Sequence, residues 1–400
     1  MQFKKHKKGS FMKRILTFLI SLCLLSSACF LPAFAASVSM VQENTDASLN
    51  LPCKSAILIE QTTGQVLYSQ NPDEPLPIAS VTKIMTLLLT MEAMERGILK
   101  NDDLVPISEH AASMGGSQAY LEPGEAITLD DVLKAVFVSS ANDGAVALAE
   151  LISGSEDAFV AAMNDKAASL GMTNTVFCNP TGLDDGDTGH SSARDVAIMS
   201  KELLAYQEIY AYSTIWIDTI RGGAFGLSNT NKLIRFYPGA TGLKTGSTAK
   251  AKYCLSASAE RNGLKLCAVV LAGESSAERF TAAKTLLDFG FANYSYFMPE
   301  KIELRQMRVR GGTKDSLKPV CPAGGILLLK NDSFGLTPSI KLEKEVSAPV
   351  EKGQKLGTVE YQKDGKPVFQ LPILAEEKIP KITFPAFMMR LLRLYLTGKR

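Results

Sequence analysis

Histidine is scarce in this chain: there are three in 400 residues. His6 lies in a basic leader, and His110 and His190 stand isolated. No Gly-x-Ser-x-Gly sits on a strand-to-helix turn to receive either of them, so a serine–histidine triad has no foundation here. A Gly-rich phosphate loop of the required form is also missing, as is a spaced Cys/His set for a metal. Basic and aromatic residues are not interleaved as single-stranded nucleic acid would require. With 43 Lys and Arg against 41 Asp and Glu, the formal net charge is only +2, so no global basic field argues for nucleic acid. No cofactor, no metal and no nucleic-acid partner are expected.

Paired cysteine spacing is missing too. Of seven cysteines, Cys23 and Cys29 fall in the leader, leaving Cys53, Cys178, Cys254, Cys267 and Cys321. An odd number without paired spacing is no disulfide framework. Cys254 and Cys267 flank a predicted hairpin whose Asn262-Gly263 turn pairs position 258 with 267. That register leaves Cys254 four residues along its strand, about 13 Å away and too far to bridge.

The positive charge is concentrated at the two ends. The first residues, MQFKKHKKGSFMKR, precede an apolar run from Ile15 to about Leu25 and then Ala33-Phe34-Ala35. This is the pattern of a secretory signal peptide, residues 1–35, cleaved after Ala35. At the other end, Phe384, Phe387, Met388, Leu391, Leu392, Tyr395 and Leu396 recur at helical spacing, with Arg390, Arg393, Lys399 and Arg400 beside them. Residues 379–400 are too short to span a bilayer, and a basic helix with one apolar face lies in the membrane interface.

Between the ends the chain alternates in character. Ser55–Glu60 and Gln65–Ser69 read as two strands around the Thr62-Thr63-Gly64 turn. Helical spacing predicts Val81–Arg96, Leu129–Val138, Asp143–Ile152, Glu156–Leu170 and Arg194–Tyr206. A hairpin, Lys252–Ala259 and Leu264–Ala272, and a helix, Glu278–Phe289, follow. Strands, then a helical block, then strands and a helix describe an α+β fold: an antiparallel sheet beside a helical region, with a cleft between. Residues 36–298 form this unit. Residues 299–378, with short alternating runs at Ile302–Leu304, Gly325–Leu329, Gly357–Tyr361 and Val368–Leu371, read as a small all-β domain.

Three motifs occur in order: Ser80-Val81-Thr82-Lys83, Ser140-Ala141-Asn142 and Lys244-Thr245-Gly246. A Ser-x-x-Lys tetrapeptide alone is weak evidence, but the three together at these intervals are specific. A serine hydroxyl needs a base, and a lysine serves once burial and a neighbouring ammonium lower its pKa. Ser80 is expected at or just inside a helix N-terminus with Lys83 three residues on. Ser140-Ala141-Asn142 falls in a loop between helices, and Lys244-Thr245-Gly246 immediately before the hairpin. Ser140 can relay a proton, and Asn142 can orient a substrate peptide link. Lys244 and Thr245 suit a terminal carboxylate. Gly246 would let a substrate backbone approach as an added strand.

At these residues the chain resembles the penicillin-binding proteins and serine β-lactamases, and more closely the low-molecular-mass D-alanyl-D-alanine carboxypeptidases. The resemblance spans nearly the whole mature chain. It implies a β-lactamase/transpeptidase-like domain, then a β-sandwich domain and an amphipathic helix. Ser80 is then the acylated nucleophile and Lys83 its base, with Ser140 completing the catalytic set. Asn142, Lys244, Thr245, Gly246 and Ser247 bind substrate, and the backbone N–H groups of Ser80 and Ser247 form the oxyanion hole. The stretches Gly182-Leu183-Asp184 and His190 to Asp195 also look like the family, as a loop lining or bracing the site. The implied reaction is removal of the terminal D-Ala from peptidoglycan pentapeptide stems, with β-lactams as mimics that acylate Ser80. The implied place is the outer face of the cytoplasmic membrane. The alternatives are a serine β-lactamase, a DD-transpeptidase and a silent wall-binding protein. Ser-Ala-Asn in place of Ser-Asp-Asn argues against a class A β-lactamase.

Overall fold

The computed structural model describes residues 49–184, 189–322 and 324–397. The expected leader and its cleavage site lie outside the described residues, as do Lys399 and Arg400. The core is one five-stranded antiparallel sheet. It is built from β1 (Ser55–Glu60), β2 (Val66–Gln70), β3 (Ala240–Thr248), β4 (Lys252–Arg261) and β5 (Leu264–Gly273), in the order β2-β1-β5-β4-β3. Alternate residues of β1 serve opposite layers. Ile57 and Ile59 join one hydrophobic cluster, Ala56 and Leu58 the other. This is the period of two that a sheet covered on both faces requires.

One layer is the helical block: α1 (Lys83–Glu95), α2 (Leu129–Lys134), α3 (Asn142–Ser153), α4 (Glu156–Ser169) and α5 (Ala193–Leu204). The other is α6 (Ser276–Asn293), whose Phe280, Leu286 and Leu287 pack under β4 and β5. Helix starts are fixed by side-chain caps. Thr128, Ser155, Ser192 and Ser275 accept from Asp131, Ala158, Asp195 and Glu278 backbone N–H groups. In α1, nine of thirteen side chains are buried, Lys83 among them, so this helix is the axis of the block.

Three expectations need correction. Ser80 does not open an α-helix: Ala79–Thr82 is a 3-10 turn, and α1 begins at Lys83. The helix predicted over Leu129–Val138 is α-helical only to Lys134 and finishes as a π-turn over Ala135–Ser139. Lys244-Thr245-Gly246 lies inside edge strand β3, not before the hairpin. Its polar side chains hide the alternation that marks a strand. The predicted hairpin register is observed, with Ser258 opposite Cys267. Cys254 and Cys267 are free and buried.

The smaller unit has its own core, including Met307, Val309, Val359, Tyr361, Phe369 and Ile373. Tyr361 and Phe369 stack at 4.6 Å, and Phe297 meets both edge-on. Ile302–Leu304 carries no ladder; the strand is Met307–Arg310. Ile379 is fully buried in this core and bridges Val350, so the unit reaches past residue 378. The chain ends in α7 (Phe384–Thr397). Its apolar side chains stand in solvent, Phe384 at 76% and Tyr395 at 88% exposure, and Arg390 pairs with Asp315. Among the described residues no helix is long and apolar enough to cross a membrane.

Candidate active site

The 3-10 turn presents Ser80, half-buried, beside fully buried Lys83. Lys83 Nζ lies 3.0 Å from Ser80 Oγ and donates to Asn142 Oδ1 at 2.5 Å and to the Thr181 carbonyl at 2.8 Å. The first and second motifs are thus bonded through the lysine. Burial pushes the Lys83 pKa well below 10.5, and the nearby Lys244 charge pushes the same way. Asp143 opposes them. Among the described residues no carboxylate is a hydrogen-bond partner of Lys83, and the two carbonyls offer it dipoles without a full counter-charge.

Thr181 is held by a local device. Asn179 Oδ1 accepts from the Thr181 N–H, the Thr181 hydroxyl and the Gly182 N–H. This Asx turn aims the Thr181 carbonyl at Lys83. Gly182 is at φ +78°, and a Cβ there would lie 1.9 Å from the Ala79 carbonyl oxygen. Only glycine fits between this loop and the turn that carries Ser80. The Gly182 stretch therefore does brace the site, through backbone rather than side chain.

Asn142 is occupied by the protein itself. Its Oδ1 accepts from Lys83, its Nδ2 donates to Gly115 O and its backbone N–H to Ser117 O, both at 2.7 Å. This differs from an amide free to orient substrate: the larger share of its bonding fixes the lysine and the 115–117 loop. Ser140 has φ +64°, and its buried Oγ has no hydrogen-bond partner among the described residues. A non-glycine residue in the left-handed region with an orphaned hydroxyl is costly twice over, as strained functional residues are.

Lys244 is 1% exposed and donates only to the carbonyl of Thr245 at 3.1 Å. Its pKa falls to about 7 through burial first and the Arg279 charge second. Thr245 Oγ1 donates to Thr230 Oγ1 at 2.7 Å. Ser247 is exposed on the edge strand. Gly246 answers a different need from the one expected. A Cβ there would stand 2.6 Å from Ile78 O and 3.0 Å from Ser80 N. What approaches closely is the protein's own 78–81 turn, so β3 and the Ser80 turn are in backbone contact. The Ser80 N–H is thereby set beside the strand that carries Ser247.

Two further residues escaped sequence reading. Asp143 accepts from the N–H groups of Ala119, Leu121 and Gly144 at 2.9–3.1 Å, fastening the loop beside Asn142. Its place in the first turn of α3 was a usable signal. Arg279, on α6, donates to the backbone of β3 and β4, to Gly246 O at 3.1 Å and Cys254 O at 3.3 Å. Nothing in the sequence marks it. The two histidines take no part in these bonds: His110 meets Glu156 at 2.6 Å, and His190 bridges Val176.

Known proteins carry the same layout. Residues 41–275 match the Peptidase S11 family, described as D-alanyl-D-alanine carboxypeptidase. The chain belongs to this family. The S11 peptidases are D-alanyl-D-alanine carboxypeptidases, so this chain is a hydrolase of that activity. Residues 300–381 match the C-terminal domain of penicillin-binding protein 5. The chain is 44% identical to the D-alanyl-D-alanine carboxypeptidase DacF of Bacillus subtilis, over 95% of this chain and 98% of that one. It is 32% identical to DacC of Escherichia coli, over 89% and 91%. Penicillin-binding protein 5 from Haemophilus influenzae superposes with a TM-score of 0.71 at 31% identity, covering 84% of this chain and 99% of that structure.

Proposed function

We propose that this D-alanyl-D-alanine carboxypeptidase is of the serine type and works through an acyl-enzyme on Ser80. The observation that carries this is the bonding of Lys83. A neutral amine has two N–H groups and one lone pair. The Asn142 and Thr181 carbonyls take the N–H groups, and the lone pair faces the Ser80 hydroxyl at 3.0 Å. Ser80 Oγ attacks the carbonyl of the penultimate D-Ala as its proton passes to Lys83. The backbone N–H groups of Ser80 and Ser247 hold the oxyanion. The buried Ser140 hydroxyl gives its proton to the amine of the departing D-Ala and takes up the one that Lys83 received, so that Lys83 is neutral again and the D-Ala leaves as the C–N bond breaks. Water then takes the acyl group from Ser80. Lys244 and Thr245 receive the terminal carboxylate, and the substrate backbone lies along the outer edge of β3.

The substrate is the pentapeptide stem of peptidoglycan, and β-lactams are ligands that acylate the same serine. The enzyme is exported, with residues 36–298 as the catalytic domain and a β-domain spacer from residue 299 that carries past 378 to the buried Ile379. The tail beyond it, to residue 400, anchors the enzyme peripherally on the outer face of the cytoplasmic membrane. The support for the anchor is the solvent-facing apolar surface of α7 and the absence of acidic residues from Lys378 to Arg400.

The test is D-Ala release from diacetyl-L-Lys-D-Ala-D-Ala together with labelling by radioactive penicillin. The mature protein releases D-Ala and holds penicillin as a slowly hydrolysed adduct; Ser80→Ala does neither. Labelling that survives Ser80→Ala overturns the assignment, and rapid penicillin turnover without D-Ala release makes the protein a β-lactamase. Removing residues 382–400 moves the protein from the membrane to the soluble fraction with catalysis intact. Unchanged partitioning refutes the anchor.

A further inference from the structure

Tyr120 is held in a conformation that its residue type disfavours, with its ring in water. Its φ is +54°, in the left-handed region where a Cβ meets the following carbonyl. Yet the side chain is 67% exposed, so no packing in the core explains the residue. Glycine is the ordinary occupant of such a surface position.

The backbone on both sides of Tyr120 is clamped by charged groups. The Asp143 carboxylate accepts from Ala119 N and Leu121 N. From the other side the Arg221 guanidinium donates to Ala119 O at 3.3 Å and Tyr120 O at 2.7 Å. Arg221 is itself fixed, by a bidentate pair with Glu125 at 2.6 and 2.7 Å and by its backbone N–H on Asp131. It too has φ +54°. Two strained residues and four charged side chains therefore converge to present one aromatic ring. Phe225 supports that ring edge-on at 6.0 Å.

The place of presentation is the rim of the site. The loop carrying Tyr120 also supplies the Gly115 and Ser117 carbonyls that bond Asn142, and Asn142 bonds Lys83. Asp143, the clamp, is the residue after Asn142. A fixed ring at the mouth of a cleft offers a flat apolar face to the C–H surface of a bound ligand.

We propose that Tyr120 is a specificity-determining residue, whose ring packs against the part of the stem peptide that precedes the D-Ala-D-Ala dipeptide. The proposal rests on the stem-peptide substrate inferred above. The dipeptide itself is assigned to Ser80, Lys244 and Thr245. Tyr120 accordingly acts on affinity for long substrates and leaves the acylation chemistry alone.

The experiment compares wild type, Tyr120→Phe and Tyr120→Gly on two substrates: the free pentapeptide L-Ala-γ-D-Glu-L-Lys-D-Ala-D-Ala and the shorter diacetyl-L-Lys-D-Ala-D-Ala. Benzylpenicillin acylation is the control for an intact site. Tyr120→Gly removes the strain and is expected to melt higher than wild type. It should nevertheless lose about fivefold in kcat/KM on the pentapeptide, mostly through KM. The short substrate and the penicillin should react as before, and Tyr120→Phe should match wild type. An unchanged pentapeptide KM in Tyr120→Gly overturns the proposal, as does an equal loss on both peptides. If wild type releases no D-Ala from either peptide, it is the stem-peptide reading that fails, and the penicillin control shows whether the site was intact.

Discussion

The Oδ1 atom of Asn142 lies 2.5 Å from the Nζ atom of Lys83, closer than the Ser80 hydroxyl at 3.0 Å. A neutral amide at this point satisfies one N–H of the amine without adding a counter-charge. Asn142→Asp puts a carboxylate in the same place. An anion beside a buried amine favours the ammonium, so the Lys83 pKa must rise. The rate of penicillin acylation then climbs at higher pH than in wild type. Each unit by which that limb moves slows acylation about tenfold at a fixed pH below it. Rate measurements from pH 5 to 10 decide the matter: an unmoved limb means the amide does not set the base.

Lys244 carries a second pH signature. Its pKa is lowered from 10.5 to about 7, so in the free enzyme its charge is present below about pH 7 and lost above it. The cation is what a substrate carboxylate needs, and a bound carboxylate favours the charged form. kcat/KM for a D-Ala-D-Ala peptide should therefore fall as pH rises past 7, while kcat, which reports the complex, holds further up. The stability effect has the opposite sense. The unfolded chain keeps this proton up to about 10.5 while the folded chain releases it near 7, so stability rises with pH between those values. The slope is at most roughly 1.4 kcal/mol per pH unit. Urea midpoints at pH 6.5 and 8.5 should rise more in wild type than in Lys244→Met.

Ser140 invites a test in which stability and activity part company. Glycine accepts φ +64° without strain and removes the orphaned hydroxyl. Ser140→Gly should stabilise the fold by about 1 kcal/mol. It should also slow D-Ala release by roughly 100-fold, the scale on which a lost proton-transfer group acts. A destabilised Ser140→Gly would show that the hydroxyl has a structural partner after all.

The architecture was legible in the sequence wherever periodicity and turn chemistry agreed. Asn262-Gly263 fixed the hairpin to the residue, and the apolar run Ser55–Glu60 beside the Thr62-Thr63-Gly64 turn marked a strand, buried along its whole length. It failed where polar function interrupts the pattern. Ala240–Thr248 is the edge strand of the sheet, but Thr241, Lys244, Thr245 and Ser247 break the apolar rhythm. At Ile302 and Leu304 the opposite happened: the rhythm exists because both side chains pack on the β core, yet the backbone finds no ladder. Side-chain pattern reports facing, and pairing is a separate matter.

The candidate site divides in the same way. Residues whose chemistry requires a particular side chain were visible as motifs. Those that act through backbone geometry were visible only in part: the Thr181 carbonyl aimed at Lys83 left no mark, and Gly246 stood in a motif without revealing that it seats against the Ser80 turn. Arg279 is invisible for a third reason. It bonds the Gly246 carbonyl from a helix 33 residues further along the chain, a relation that only the completed fold creates.

The change of helical pitch at Thr82 has a consequence for reach. In an α-helix, residues three apart are offset by about 60° around the axis, since each step turns 100°. In a 3-10 helix the step is 120°, so residues three apart eclipse one another. Ser80 sits in the tighter turn and Lys83 opens the wider one. The tight turn swings the serine towards the azimuth of the lysine, and the α-helix that follows holds the lysine stem among buried neighbours. The gearing between two helical pitches aligns donor with acceptor, and a uniform α-helix through the same four residues would leave them side by side.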